Sequence, residues 1–556
     1  MSRRSFTGRA ASPGTAVGVL YRTDRSSSTV DEPVADPAGR LTEAFESVAE
    51  QLLATAEELR GGDRAEQADI IEVIGYLAMD PDLRALTIQH AMAGMPVTRA
   101  VRLAVDHHAD TLAALPDPVL AERATDVRQV GKRVLAHLSG NHRVLVSDLP
   151  LILIAAEIGA ADLLEPTVTV AAAASVTGGP NSHAAIIARS LGIPLLVGID
   201  PAALDHPDGS PVTVDDAMIV INPEPGEQAA ARETIRAVRR RREVLAAGRH
   251  LPAQTLDHHA VTLRSNVATT TEARAALAGN ADGVGLLRTE VPFLDATEWP
   301  TETQHTAVLG PILRVLEGKP ATVRTLDYAD DKLPPFLSRD RTGRLGRGLP
   351  LMLADPDAFA RQFRAILRVG AGCDLRIMIP MVANLDEFQA CQHILEHAAR
   401  DTGIEPPALG VMIELPEAVA AVDDIARHAG FLSIGSNDLT SQILGLDRRD
   451  PALTPQLAAH PSVLRAIAGT IGAAHHHNRP VSICGDAAAH PLVLPLLIGL
   501  NCDILSVAPA ALDEVRACIR RLDHEVCAEL VQHALTLTTA EDVWHSVRHH
   551  AAPQLP

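Results

Sequence analysis

Apolar residues recur three and four positions apart through "ADIIEVIGYLAM", "PDLRALTIQHAMAG", "VTRAVRLAVDHHADTLAAL" and "AERATDVRQVGKRVLAHL", the spacing of helices that bury one stripe. Gly and Pro mark several of the breaks between them, as in "AGMPVTRA" and "LPDPVL". The pattern predicts a helical bundle from about Pro37 to Leu138, inserted after a short strand and turn at Gly8–Val19. At "HRVLVSDL" the pattern turns to β, and strands and helices alternate to about Asn222. Pro223–His250 reads as a charged connecting helix. Beyond Thr255, short apolar runs alternate with helix-length spacers: "VTLRSNV", "GVGLLRTE", "ATVRTLD", "LRIMIPM", "LGVMIEL", "FLSIGSND", "PVSICGD" and "CDILSVAP". Eight such runs predict a (β/α)8 barrel.

Composition narrows the class. A chain of 556 residues implies two to four domains. With 47% apolar and 21% charged residues it belongs with folded proteins. Aromatic residues are only 2%, so Leu, Ile, Val and Ala must fill the cores. Lys plus Arg number 49 against 69 Asp plus Glu, a net charge of −20 that argues against non-specific binding to nucleic acid or anionic membrane. The four arginines Arg239–Arg242 therefore read as a solvated helix face. No apolar run reaches membrane-spanning length, and "MSRRSFTGRAASPG" has no apolar segment behind its arginines, so no export signal is expected. Six cysteines without a CxxC pair suit a reduced, cytoplasmic setting. Histidine runs such as His475–His477 read as solvated surface.

The polar residues of the eight barrel runs collect at their C-terminal ends, which converge on one face of such a barrel. Arg288 ends the second run, Arg324 and Asp327 the third, Glu414 the fifth, Asn437 and Asp438 the sixth, and Cys484 the seventh; Arg448 follows the sixth. Any one alone reads as an ion pair or a loop cap. Together, three arginine forks suit phosphate and carboxylate oxygens. Glu414 and Asp438 offer hard oxygen ligands for a Mg²⁺ bridged to a substrate phosphate. Cys484 suits proton transfer better than Mg²⁺ ligation, with a small buried apolar residue as its bland alternative.

"GGPNSHAAIIARSLGIP", Gly178–Pro194, places His183 where a glycine-rich turn meets a helix. Asn181 or Ser182 can cap that helix, leaving backbone N–H groups and the positive dipole end to hold a phosphoryl group on the imidazole. Arg189 offers a further positive charge. A capped helix with an idle histidine is the plainer alternative.

These stretches also carry a resemblance. The His183 segment resembles the phosphohistidine signature GGxTSHxAIxAR of the phosphoenolpyruvate-utilising enzymes. "GVGLLRTE", "VRTLDYADDK", "GVMIELPEA", "SIGSNDLTSQILGLDR" and "ICGDAAA" are similar to that family's barrel motifs, in the same order. "ERATDVRQVGKRVL" resembles the end of the helical subdomain with which the enzyme I group docks the phosphocarrier protein HPr. The resemblance implies a phosphoenolpyruvate–protein phosphotransferase with His183 as phosphorylated nucleophile. It implies that Arg288, Arg324, Asn437 and Arg448 bind phosphoenolpyruvate, that Glu414 and Asp438 bind Mg²⁺, and that Cys484 is the proton donor. It also implies HPr as acceptor, a homodimer formed through the barrel, and a swivelling α/β domain that carries His183 between the barrel and HPr.

The expected architecture is multi-domain α/β. A phosphohistidine α/β domain occupies 1–25 and 141–222, a helical HPr-binding subdomain 26–140, a linker helix 223–254 and a phosphoenolpyruvate-binding TIM barrel 255–556. The chain departs from the family pattern at Asn181, at Ala329–Asp330 where two glycines are usual, around Arg347, at Pro350 in place of an arginine, and at Asp486 in place of glutamate. These departures keep open a weakly active, regulatory or scaffolding relative. A phosphoenolpyruvate synthase or pyruvate phosphate dikinase would need a nucleotide-binding domain, and no Gly-rich ATP-binding segment is read before His183.

Overall fold

The computed structural model describes residues 2–23, 35–61, 65–114, 118–139, 149–164, 169–179, 182–294, 296–328, 333–338, 348–448, 450 and 452–551. They divide into two compact units, one ending at residue 241 and the other starting at 242.

The first unit begins with three strands, β1 (Arg4–Thr7), β2 (Arg9–Ser12) and β3 (Ala16–Arg22), where the apolar pattern predicts one. "RSFT" and "RAAS" show little alternation because β1 and β2 are the two sheet edges. Five helices follow: α1 (Pro37–Gly61), α2 (Ala65–Ala78), α3 (Pro81–Met92), α4 (Val97–Ala113) and α5 (Pro118–Leu138). The chain then adds β4 (Leu151–Ala155), β5 (Val170–Ser175), α6 (His183–Leu191), β6 (Leu195–Val197), β7 (Pro211–Val214), β8 (Met218–Ile221) and α7 (Pro225–Ala247). Most of the "HRVLVSDL" run lies outside the described residues.

The sheet order is β1-β8-β7-β3-β4-β5-β6-β2, with β3 to β6 parallel at its centre. β4, "LILIA", is apolar throughout because both of its faces are covered. Ile152 and Ile154 enter one core with Leu20, Ala172 and Leu196. Leu151, Leu153 and Ala155 enter another, shared with α6 and with the inward stripe of the bundle. That stripe runs Leu41, Phe45, Val48 and Leu52 on α1, and Val127, Val130 and Val134 on α5. One continuous core therefore seats the bundle on the sheet and brings α5 beside α6. α7 contributes no buried residue, and its Arg240 pairs with Glu233 on the exposed face.

The second unit is a closed barrel of eight parallel strands, formed by the eight predicted runs. They are β9 (Thr262–Val267), β10 (Val284–Leu287), β11 (Pro320–Arg324), β12 (Asp374–Ile379), β13 (Ala408–Ile413), β14 (Leu432–Gly435), β15 (Val481–Cys484) and β16 (Ile504–Val507). Pairing of β16 with β9, Ile504 opposite Thr262, closes the ring. The large core lies between the strands and the outer helices. A small one inside the barrel joins Leu286, Met378, Met412, Phe431 and Cys484.

Candidate functional site

His183 is the first residue of α6, and the Ser182 hydroxyl caps that helix by accepting the Ala185 N–H at 3.3 Å. The helix is anion-friendly at this end, where N–H groups lack intrahelical acceptors. Asn181 lies outside the described residues. The imidazole Nδ1 stands 3.2 Å from Asp126 Oδ2 on α5, and the Asp126 side chain is 1% exposed. A carboxylate can only accept, so Nδ1 carries a proton, and in the neutral ring Nε2 then presents its lone pair. Nε2 has no hydrogen-bond partner among the described residues. Arg123 donates to the same Asp126 oxygen at 3.1 Å, so the carboxylate is fixed from two sides. Arg189 donates to the Ala11 carbonyl at 2.9 Å, which ties α6 to β2 and leaves its positive charge on the helix.

In the barrel unit the predicted polar residues stand at the C-terminal rim. Arg324, the last residue of β11, is buried; its Nη2 donates to Glu290 Oε1 at 2.7 Å and its Nη1 lies 3.0 Å from Asp327 Oδ2. Burial opposes its charge, but Asp327, Glu290 and Glu414 outweigh that and hold the guanidinium protonated. Arg288 follows β10. Its Nε and that of Arg324 are buried without hydrogen-bond partners among the described residues. Two unsatisfied donors on adjacent strands are an open invitation to an oxyanion.

Glu414 follows β13 and is 1% exposed. Its Oε1 accepts the Met381 N–H at 2.7 Å, for which Met381 adopts a φ of 57°, a conformation few non-glycine residues take. The place a Cβ would occupy on Gly435 lies 2.7 Å from Glu414 Oε2, so only glycine leaves this carboxylate its room. Burial, then Asp327 and Asp438, push Glu414 up to about 8, against the pull of Arg324. Asp438, in the first turn of the helix Ser436–Leu444, pairs with Arg448 at 3.1 Å. Crowded carboxylates at a buried rim could hold a hard divalent cation.

Asn437 is braced by Asp486: its Nδ2 donates to Asp486 Oδ2 and its Oδ1 accepts the Asp486 N–H, each at 3.2 Å. Gly485, at φ 98°, permits this, since a Cβ there would strike Ser436 Oγ and come within 2.8 Å of Asn437 Oδ1. Gly485→Ala should lower the unfolding free energy by about 1–3 kcal/mol, measured by urea denaturation. Cys484 ends β15, 3% exposed and facing the barrel interior. Burial raises its thiol to about 12, so it keeps its proton at neutral pH.

Three supporting residues escape the sequence patterns. Asp126 and Glu290 sit inside the quoted stretches but reach His183 and Arg324 across 57 and 34 positions. Gln362, fully buried on the helix Pro356–Val369, donates to Thr289 Oγ1 and accepts the Leu326 N–H, both at 3.1 Å, joining the ends of β10 and β11. A polar residue on the apolar face of that helix is its only signal. Pro350 sits in the first turn of the helix Leu349–Leu353, where a missing N–H costs nothing. Ala329–Asp330, Asp331, Lys332 and Arg347 lie outside the described residues.

Three family models match the chain in order: "PEP-utilising enzyme, N-terminal" over residues 7–123, "PEP-utilising enzyme, mobile domain" over 149–217, and "PEP-utilising enzyme, PEP-binding domain" over 242–524. The chain is 36% identical over 97% of its length to the "Multiphosphoryl transfer protein" of Xanthomonas campestris pv. campestris, and spans 66% of that protein. It is 32% identical over 92% of its length to the "Phosphoenolpyruvate-dependent phosphotransferase system" protein of Escherichia coli, covering 71% of it. It is 31% identical over 98% of its length to the "Phosphoenolpyruvate-protein phosphotransferase" of Haloferax volcanii, covering 99% of it. The chain thus spans about two thirds of the multiphosphoryl transfer protein it matches.

Proposed function

The chain belongs to the phosphoenolpyruvate-utilising enzymes, and from that premise we propose that it is a phosphoenolpyruvate–protein phosphotransferase. It takes the phosphoryl group of phosphoenolpyruvate onto His183 and passes it to a histidine of an HPr-type carrier. The observation that carries this reading is His183 itself: capped at a helix N-terminus, proton held on Nδ1 by buried Asp126, and Nε2 left as nucleophile.

Arg288, Arg324 and Arg448 bind the phosphate and carboxylate of the substrate, with Asn437 at the phosphate. The orphaned Nε atoms of Arg288 and Arg324 support this assignment. Glu414 and Asp438 hold Mg²⁺, and the raised Glu414 marks a carboxylate cluster that fits a counter-cation. When bound, Mg²⁺ supplies positive charge that offsets the phosphoryl oxygens. The bond from phosphorus to the enol oxygen breaks as the bond to His183 Nε2 forms. The electron pair stays with enolpyruvate, whose carbon takes the Cys484 proton to give pyruvate, and solvent reprotonates the sulfur. His183 and the arginines belong to different units, so transfer includes a swing of the His183-bearing unit about α7. A cytoplasmic homodimer formed through the barrel completes the reading; among the described residues no helix is long and apolar enough to cross a membrane.

The test is radiolabelled phosphoenolpyruvate with Mg²⁺ and an HPr, following pyruvate and the label on each protein. Acid-labile label that passes to HPr is expected. Binding of either ligand without label transfer would sink the proposal in favour of a scaffold.

Asp126 positions the imidazole without touching substrate. Asp126→Asn should slow phosphorylation of His183 by about a hundredfold, leaving the KM for phosphoenolpyruvate and the melting temperature nearly unchanged. Asp126→Glu should recover part of the rate. A rise in KM in place of the rate loss would contradict the positioning role.

A further inference from the structure

The histidine run His475–His477 is assigned no role in the proposed phosphoryl transfer, and two of its rings meet carboxylates. It closes the helix Pro461–His476, with His477 as its C-terminal cap. Just beyond, Arg479 donates to the carbonyls of Ala426 and Arg427 at 3.3 Å each, locking this helix end to the helix Val422–His428. The lock sets His477 Nε2 2.9 Å from Asp423 Oδ1 on the second helix. The rings of His476 and His477 stand edge to face, with centroids 4.8 Å apart. Ligand atoms of Asp423, His476 and His477 all lie within 4.8 Å of one another. Arg427 donates to the other Asp423 oxygen, Oδ2, at 3.0 Å, which holds Oδ1 toward the imidazoles. His475 is engaged elsewhere, 3.0 Å from Asp503.

We propose that Asp423, His476 and His477 form a binding site for a divalent transition cation of the Zn²⁺ class. Two imidazole nitrogens and one carboxylate oxygen make a three-ligand set whose remaining position goes to water. Imidazole selects Zn²⁺, Ni²⁺ or Co²⁺ over Mg²⁺ and Ca²⁺, so the Mg²⁺ assigned to the barrel rim does not compete. Ligand atoms on one Zn²⁺ stand roughly 3.4 Å apart, which small rotations of the exposed His476 and Asp423 side chains supply. The Arg427 contact orients the carboxylate as supporting hydrogen bonds orient metal ligands generally. Bound metal would clamp the helices leading into β14 and β15. The C-terminal ends of those strands present Asn437, Asp438 and Cys484.

The test is a Zn²⁺ titration of the full chain in saturating Mg²⁺, in competition with a chromophoric chelator. Wild type is expected to bind one equivalent more than the His476→Gln/His477→Gln double variant, and Asp423→Asn to bind that equivalent at least about tenfold more weakly. Co²⁺ should give wild type a visible ligand-field band that the double variant lacks. All three positions lie at the surface or half-buried, so variants that melt with wild type in chelator confirm intact folding. Equal Zn²⁺ stoichiometry and affinity in wild type and the double variant, or an unchanged Co²⁺ band, would overturn the site.

Discussion

His183→Ala is expected to reduce label on the protein, and onward transfer to HPr, to background. The imidazole is the proposed covalent acceptor, and its described neighbours are committed elsewhere: Asp126 is buried and already bound by Arg123, and Ser182 caps the helix. The fold should survive the change. Alanine is a good helix former at the first position of α6, and the Ser182 cap uses the Ala185 N–H rather than His183. The loss is one hydrogen bond to the buried Asp126 carboxylate, worth about 1.5–3 kcal/mol, with Arg123 still paired to it, so circular dichroism should match wild type and the melting temperature fall by only a few degrees. Binding of phosphoenolpyruvate should persist, because the residues proposed for it lie on the other unit. Label retained on His183→Ala would move the acceptor elsewhere and remove the basis of the proposed function.

Glu414→Gln should cut kcat/KM by at least about a thousandfold while making the metal-free protein more stable. The activity loss follows from removing one of two carboxylates assigned to Mg²⁺. The gain in stability follows from burial and from Asp327 and Asp438, which raise Glu414 from near 4.5 to about 8. A raised carboxylate binds its proton more tightly folded than unfolded. Between the two values the folded state holds more protons, so wild-type stability falls as pH rises through that window and levels off above it. Glutamine can keep the Met381 hydrogen bond and has no proton to lose. The variant's advantage in chelator should therefore be small near pH 4.5, grow toward pH 8 and then stay constant. Added Mg²⁺ should raise the wild-type melting temperature and leave the variant's unchanged. A variant less stable than wild type at pH 8 in chelator would show that Glu414 is not strained in this way.

The barrel is readable in the sequence because each strand is a short apolar run that stops on a polar residue, and burial on both sides removes alternation. Arg288, Arg324, Glu414, Asn437, Asp438 and Cys484 stand out for the same reason: they end runs whose ends must converge. The edge strands β1 and β2 are hard to read, since half their surface faces solvent and their pairing comes from β8 and β6. Asp126 and Glu290 are invisible, and Gln362 nearly so, for a different reason. Each acts on a residue distant in the chain, through a contact that exists only once the unit around it has folded. The histidine run shows the converse: read as surface by its spacing, it gains one carboxylate partner, Asp423, from a helix some fifty positions earlier.

The core that joins the bundle to the sheet also bears on how this architecture can diversify. Leu151, Leu153 and Ala155 look into the same interior as Phe45 and Val130, so the bundle is not a cassette that recombination could exchange whole. Swapping it would strip one face of the sheet and detach Asp126 from His183. New recognition must instead be written residue by residue on the outward sides of α1 to α5. Lineages built this way should share their inward stripes far more closely than the surfaces they present.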